Sequence, residues 1–214
     1  QAGDRFAVRN SGAHTVIEVL GDANDYVGKG LSGGEIVVRP IAASPLSSQK
    51  NAIIGNTCLY GATAGTLYAA GQAGDRFAVR NSGAHTVIEG CGANGCEYMT
   101  GGRVCILGAV GDNFAAGMTG GRAFVYDPEG DLERRLNPEA VQLYRLETEH
   151  YAEECRQMIQ DHVERTYSKW AEGLLAEWDR VRKQFWHVVP HEIVPKLEHP
   201  LTLEEAEGAK QPAE

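Results

Sequence analysis

The chain has 214 residues, enough for one domain or two small ones and for a core that needs no disulfide staples. Its formal charge of −9 argues against a nucleic-acid footprint. Its apolar runs are too short for a membrane-spanning helix, and no basic-then-apolar leader opens the sequence. The first residue is Gln1, so the sequence reads as a fragment, a processed product or an engineered chain. Five cysteines (Cys58, Cys91, Cys96, Cys105, Cys155) at irregular spacing read as reduced, buried side chains of a cytoplasmic protein.

Two building rules meet near residue 130. Of 26 glycines, 24 lie in residues 1–130, whereas Trp170, Trp178 and Trp186 all lie beyond it. Nine basic against eleven acidic residues give residues 1–130 a charge of −2; eleven against eighteen give residues 131–214 a charge of −7.

In chain order, the first segment is the anomaly. Residues 1–18 repeat residues 72–89 letter for letter. Eighteen unbroken identities exceed what diverging repeats retain, so the copy is a recent duplication, a deliberate graft or an assembly artefact. The junction reads as in register, with Glu18-Val19-Leu20-Gly21 parallel to Glu89-Gly90-Cys91-Gly92. Residues 1–18 are therefore expected to form one added N-terminal coil that covers a sheet end.

Five short units follow: Ser32 to Val38, Thr63 to Tyr68, Ser82 to Ile88, Thr100 to Leu107 and Thr119 to Val125. They start 31, 19, 18 and 19 residues apart. The long interval holds Pro40 to Gln49, a Pro/Ser-rich inserted loop. Each unit runs from an Asn or Asp (Asn24, Asp75, Asn94, Asp112), through a small or apolar segment such as Phe77-Ala78-Val79 or Phe114-Ala115-Ala116, to a glycine turn and a β-branched run. Such strands bury their apolar faces only by stacking. No helix-length segment separates them, which excludes a doubly wound α/β sheet. The pattern predicts a parallel β-solenoid over residues 1–130, with a β-sandwich as the alternative.

Beyond residue 130, Asn137-Pro138-Glu139 reads as a helix start. An apolar stripe then runs through Tyr151, Cys155, Met158/Ile159, Val163, Tyr167, Trp170, Leu174, Trp178, Val181 and Phe185. Thr166-Tyr167-Ser168 divides it into two helices. Residues 131–195 read as a helical C-terminal cap on the solenoid, ended by Pro190 and Pro195. Residues 196–214 read as a flexible acidic tail.

Candidate chemistry is sparse. Gly28 to Gly33 and Gly90 to Gly95 match G-x-G-x-x-G, but a strand rather than a helix follows, so they read as turn glycines. The spacing of Cys91, Cys96 and Cys105 fits neither zinc nor an iron–sulfur cluster. His187 and His191 are separated by Pro190, and His14 and His85 are one residue in two copies. Asp22, Asn24 and Asp25 are candidate cation ligands but complete no calcium loop. The residues point to no catalytic, cofactor or metal site, and the chain reads as a scaffold or interaction module.

Longer strings carry a resemblance. Gly21 to Gly34 (GDANDYVGKGLSGG), Gly55 to Thr63, Arg76 to Gly83, Cys96 to Gly102, Asn113 to Met118 and His162 to Thr166 resemble the C-terminal GXGXG domain of the glutamate synthase large (α) subunit, over about residues 19–195. The C subunit of formylmethanofuran dehydrogenase is similar more weakly. Two positions depart from the family pattern: the strand upstream of Gly21 is replaced by the duplicated residues, and Thr63-Ala64-Gly65 stands where a Gly-Gly pair is commoner.

The resemblance implies a right-handed parallel β-helix. It implies membership of an enzyme that moves the glutamine amide nitrogen onto 2-oxoglutarate with FMN, an iron–sulfur cluster and reducing equivalents. The amidotransferase's N-terminal cysteine and the FMN barrel with its cluster motif have no match here, so the expected role is structural: the solenoid holds the amidotransferase and FMN domains in relation. Two further readings are a separately encoded subunit of a split glutamate synthase and a solenoid that self-associates through its ends.

Overall fold

The computed structural model describes residues 15–201 together with Gly3, Asp4 and Ala7. Six strands run parallel, each paired with the next: β1 (Val16–Leu20), β2 (Ser32–Arg39), β3 (Ala64–Ala69), β4 (Ser82–Ile88), β5 (Thr100–Ile106) and β6 (Gly120–Tyr126). They build a β-solenoid of about six turns, and β2 to β6 fall on the five repeat units almost residue for residue. Parallel pairing in one sheet excludes the sandwich.

The strands alternate faces, as the pleat requires. Ile36, Leu67, Thr86, Val104 and Ala123 stack in register, and with Val38, Ala69, Ile88, Ile106 and Val125 belong to the interior of the stack, Thr86 as its buried polar member. Val37, Tyr68, Val87, Cys105 and Phe124 form the row between them and face outward into a second apolar cluster.

The opposite side of each coil is a turn segment rather than a strand. Leu59, Ala78, Cys96 and Ala115 all have φ of 56–59° there and are buried. Their amides bond back to the preceding coil: Leu59 to Val27, Ala78 to Cys58, Cys96 to Phe77 and Ala115 to Gly95, at 2.8–2.9 Å. Left-handed backbone costs a non-glycine residue about 1–2 kcal/mol. Here a second inter-coil hydrogen-bond ladder offsets it. Along the same edge, Asp25 Oδ1 accepts from the Asn56 amide at 2.7 Å, Asn56 Oδ1 from Asp75 and Asp75 Oδ1 from Ala93, both at 2.8 Å. Asp25, Asn56 and Asp75 are thus side-chain struts between coils, and Asp75 is the one of them that the repeat pattern singles out.

The C-terminal part contains α1 (Leu132–Arg135), β7 (Val141–Arg145), α2 (Glu149–Thr166), α3 (Lys169–Ala176), α4 (Trp178–Val181) and β8 (Phe185–Pro190). Helix α2 lies on the outward row of β2 to β5 and buries Tyr151, Ala152, Cys155, Ile159, His162 and Thr166. Four sequence readings are corrected. Asn137-Pro138-Glu139 starts no helix: Asn137 follows a bridge between Leu136 and Phe114, and its side chain turns back to the Glu139 amide. Phe185 opens strand β8, which pairs antiparallel to both β6 and β7, because its register neighbour Tyr126 and the end of the sheet offer a partner that a surface helix lacks. His162 and Thr166 occupy the buried stripe in place of Val163 and Tyr167, and Tyr167 is the left-handed cap of α2, 68% exposed.

The fourth correction concerns the duplicated segment. Only its last residues, with Gly3, Asp4 and Ala7, are described, so most of the expected extra coil lies outside the described residues. In β1, Ile17 stands in the row of Ile36, Leu67 and Thr86, not in the row of its copy Ile88. The junction is therefore displaced by two residues. A shift of two keeps inward residues inward, whereas a shift of one would reverse every side chain.

Within the stretch read as a tail, Leu197 and Leu201 pack against the outward cluster and the Tyr151 hydroxyl donates to the His199 carbonyl at 2.9 Å; residues 202–214 lie outside the described ones.

A Cβ on Gly101 would lie 2.1 Å from the Ser82 carbonyl oxygen, whereas one on Gly173 in α3 meets nothing within 4 Å. Gly101→Ala should therefore destabilise the chain by about 3 kcal/mol or more, and Gly173→Ala should stabilise it by about 1 kcal/mol, both read from denaturant midpoints.

Candidate functional site

Apart from Thr86 inside the stack and Asn81 at the turn before β4, the polar residues that the fold buries, Glu89, His162, Thr166, Ser168 and His187, lie between the outward row and the helices. Glu89, just past β4, is 1% exposed; its Oε1 lies 3.3 Å from His162 Nε2 on α2 and accepts from the Ser168 hydroxyl at 2.5 Å. Ser168 also caps α3, accepting from the Ala171 amide at 3.1 Å. The carboxylate stands between serine and histidine, so no histidine nitrogen reaches the hydroxyl as a nucleophile's base must. This node ties the α2–α3 corner to the sheet. Glu89 Oε2 and His162 Nδ1 have no protein partner.

A second node lies nearer the start of α2. Glu154 takes Arg103 at 2.5 Å and Arg122 at 2.9 Å, from adjacent strands. His85, in the same row, is pushed below the ordinary histidine range by burial and by Arg103. The other copy, His14, lies outside the described residues.

His187 on β8 continues the outward row beyond Phe124, stacked on that ring at 4.7 Å and tilted against Tyr151. It is fully buried, and neither ring nitrogen has a partner. Burial, then Arg122, lowers its pKa to about 3. His191, four residues on, is exposed.

All five cysteines are buried free thiols. Burial pushes Cys58 and Cys91 up to about 12 and Cys96 and Cys155 well above their usual range. Thiols held protonated are poor nucleophiles and ligands. Cys105 on β5 and Cys155 on α2 neighbour each other across the sheet–helix boundary, and Cys96 neighbours Cys91. Among the described residues no group of three or more His, Cys, Asp and Glu could hold a metal ion. Asp25, once a candidate cation ligand, is a strut to Asn56. Gly28 and Gly30 are positive-φ turn residues ahead of β2, not a phosphate cradle at a helix start.

A cavity of about 170 Å³ beside β6 is lined by Asp127, Glu129 and Asp131 as well as Val110, Tyr126 and Trp170. Its one cation, Arg135, is held by Asp112. Three carboxylates oppose a phosphate, so the residues here do not fit FMN, and the separated thiols do not fit an iron–sulfur cluster.

The larger opening is a groove of about 570 Å³ between the inserted loop (residues 40–49) and the α2–α3 corner, with Ile41, Leu46, Tyr167 and Trp170 along it. Sequence reading found the loop but not the groove, because it placed Tyr167 in the core. The signal available was a tyrosine set between Thr166 and Ser168, at the point that divides the stripe into two helices.

Comparison with known proteins follows the same outline. The family model described as GXGXG motif matches residues 17–191. A relative described as glutamate synthase [NADPH] large chain, from Azospirillum brasilense, is 60% identical over 194 residues, 91% of this chain and 13% of its own length. Ferredoxin-dependent glutamate synthase 2 from Synechocystis is 49% identical over 88% of this chain and 12% of its own length. Glutamate synthase [NADH] from Schizosaccharomyces pombe is 47% identical over 85% of this chain and 9% of its own length. The chain thus spans about an eighth or less of these relatives.

Because His187 is neutral when folded and takes up a proton near pH 6.5 when unfolded, acid favours the unfolded chain by about 1.4 kcal/mol per pH unit between these values. Stability should therefore fall as pH drops from about 6.5 toward 3. In His187→Phe that component disappears: near neutrality the variant should match the parent, and at about pH 4 it should be more stable by roughly 3 kcal/mol, read from urea melts at both pH values.

Proposed function

The chain belongs to the GXGXG family and is the segment that glutamate synthase large chains share, and on that premise we propose that it is a structural segment of such an enzyme. The whole enzyme would transfer the glutamine amide nitrogen to 2-oxoglutarate in the cytoplasm. This segment would hold the amidotransferase and FMN domains in fixed relation and perform no chemical step itself. FMN and the iron–sulfur cluster would reside in those other domains.

The observation that carries this reading is the doubled inter-coil ladder. Strand amides bond on one side of the stack and left-handed turn amides on the other, so each coil is clamped to the next along two lines. A body stiff in this way suits the positioning of two reaction centres that share an intermediate. The contacts of Glu89 with His162 and Ser168 and of Glu154 with Arg103 and Arg122 support the same reading, since they bridge helix to sheet.

The test is a whole large chain carrying this segment with Gly101→Ala. Glutamine hydrolysis should continue while nitrogen transfer to 2-oxoglutarate falls several-fold and free ammonia appears. Stoichiometric flavin on the purified 214-residue chain, read from its absorbance, would overturn the reading.

A second reading, self-association, has one observation in its favour. The Thr15 carbonyl and the Gly21 amide bond to β2, so the backbone groups of Val16, Glu18 and Leu20 face away from it, and Val16 and Leu20 are 64% and 53% exposed. Such an edge can accept a strand from another copy. Light scattering over a concentration series should then show a rising mass; one monomeric mass throughout excludes it.

A further inference from the structure

We propose that the groove between the inserted loop and the α2–α3 corner is the seat of an apolar segment from the rest of a glutamate synthase large chain, outside these 214 residues. The inference rests on the scaffold reading above and names the surface through which it works.

Exposure is the first argument. Ile41, Leu46 and Tyr167 are 56%, 61% and 68% exposed, and all three line this one groove with Trp170. Single exposed hydrophobes are ordinary, whereas a contiguous set beside a concave opening marks a contact surface.

Strain is the second. Tyr167 closes α2 at φ 57°, a position that glycine or asparagine fills without penalty. Its ring meets Arg39 at 5.1 Å. A mostly solvated aromatic ring in left-handed backbone contributes little to the isolated fold. Buried under a partner, it would supply the large rigid contact that interfaces draw on.

Charge is the third. On a chain of net charge −9, the groove has no carboxylate among its lining residues and carries only Arg39 and Lys169. An apolar occupant therefore meets no buried acid that it would have to desolvate.

The matched relatives keep about seven-eighths of their chains or more beyond the matched segment, which gives the groove covalently linked partners at high effective concentration.

The test places residues 19–214 in the Azospirillum brasilense large chain in place of their counterpart. Benzoylphenylalanine replaces Ile41, Leu46 or Tyr167 in turn and, for comparison, Tyr98, an exposed aromatic on the turn side. After irradiation, peptides joined to each probe are identified by mass spectrometry, with two isotope-labelled preparations mixed to reveal links between copies. The expected result is that the three groove probes join peptides outside this segment in several-fold higher yield than the Tyr98 probe.

Links from the groove to residues 202–214, or between two copies of the segment, overturn the inference. Links to outside peptides from Tyr98 but not from the groove overturn it and leave the scaffold reading standing. No link to outside peptides from any of the four overturns both. Should the chimaera not accumulate, the same probes at the aligned positions of the relative's own large chain give the same readings.

Discussion

Successive coils approach so closely at Gly83, Gly101 and Gly120 that a Cβ on any of them would sit 2.1 Å from a carbonyl oxygen of the coil before: Thr63, Ser82 and Thr100 in turn. At that separation nothing but hydrogen fits. The close approach lets β3 through β6 pair, with a register shift after Ser82 and another after Thr100, and brings the turn amides on the far side within 2.8–2.9 Å of their acceptors. The glycines ahead of the struts obey the same constraint, for a Cβ on Gly55, Gly74 or Gly92 would meet the side-chain oxygen of Asp25, Asn56 or Asp75. The repeat is therefore a backbone-contact repeat first and an apolar repeat second.

That order explains what could be read in advance. Glycine spacing and β-branched runs announce the strands, because both are set by local geometry. The left-handed turn residues are not announced: leucine, alanine and cysteine at positions 59, 78 and 96 carry no signature of positive φ, and only stacking between coils makes that backbone favourable. Strand β8 was hidden for a related reason. Phe185 continues a helical spacing from Trp178 and Val181, and a free sheet margin beside Tyr126, remote in sequence, decides otherwise. The groove was half legible: the Pro/Ser-rich loop marks one wall, but the other depends on a tyrosine that hydrophobic periodicity assigns to the core.

The repeated eighteen residues offer a comparison within one molecule. Glu89 is sealed under α2 and α3 with His162 and Ser168, while the same residue in the first copy, Glu18, is partly exposed and holds Arg39 at 2.6 Å. Peptide identity does not carry environment with it. Helix α2 reaches β2 through β5, and the stretch that pairs as β1 takes its register from Gly21 and the coils that follow, two residues away from the alignment its own sequence suggests. Long-range packing overrides local sequence wherever parity of the two faces is kept.

The reversal of chain direction at β8 has a further consequence. A parallel coil propagates by repeating one screw operation, and an antiparallel strand against β6 breaks that operation, with β7 beyond it. Elongation by whole repeat modules is thus closed on that side and confined to the opposite terminus or to insertion between coils. Polarity of growth is built into the architecture, so homologous solenoids of different length should vary in module number away from the reversed strand.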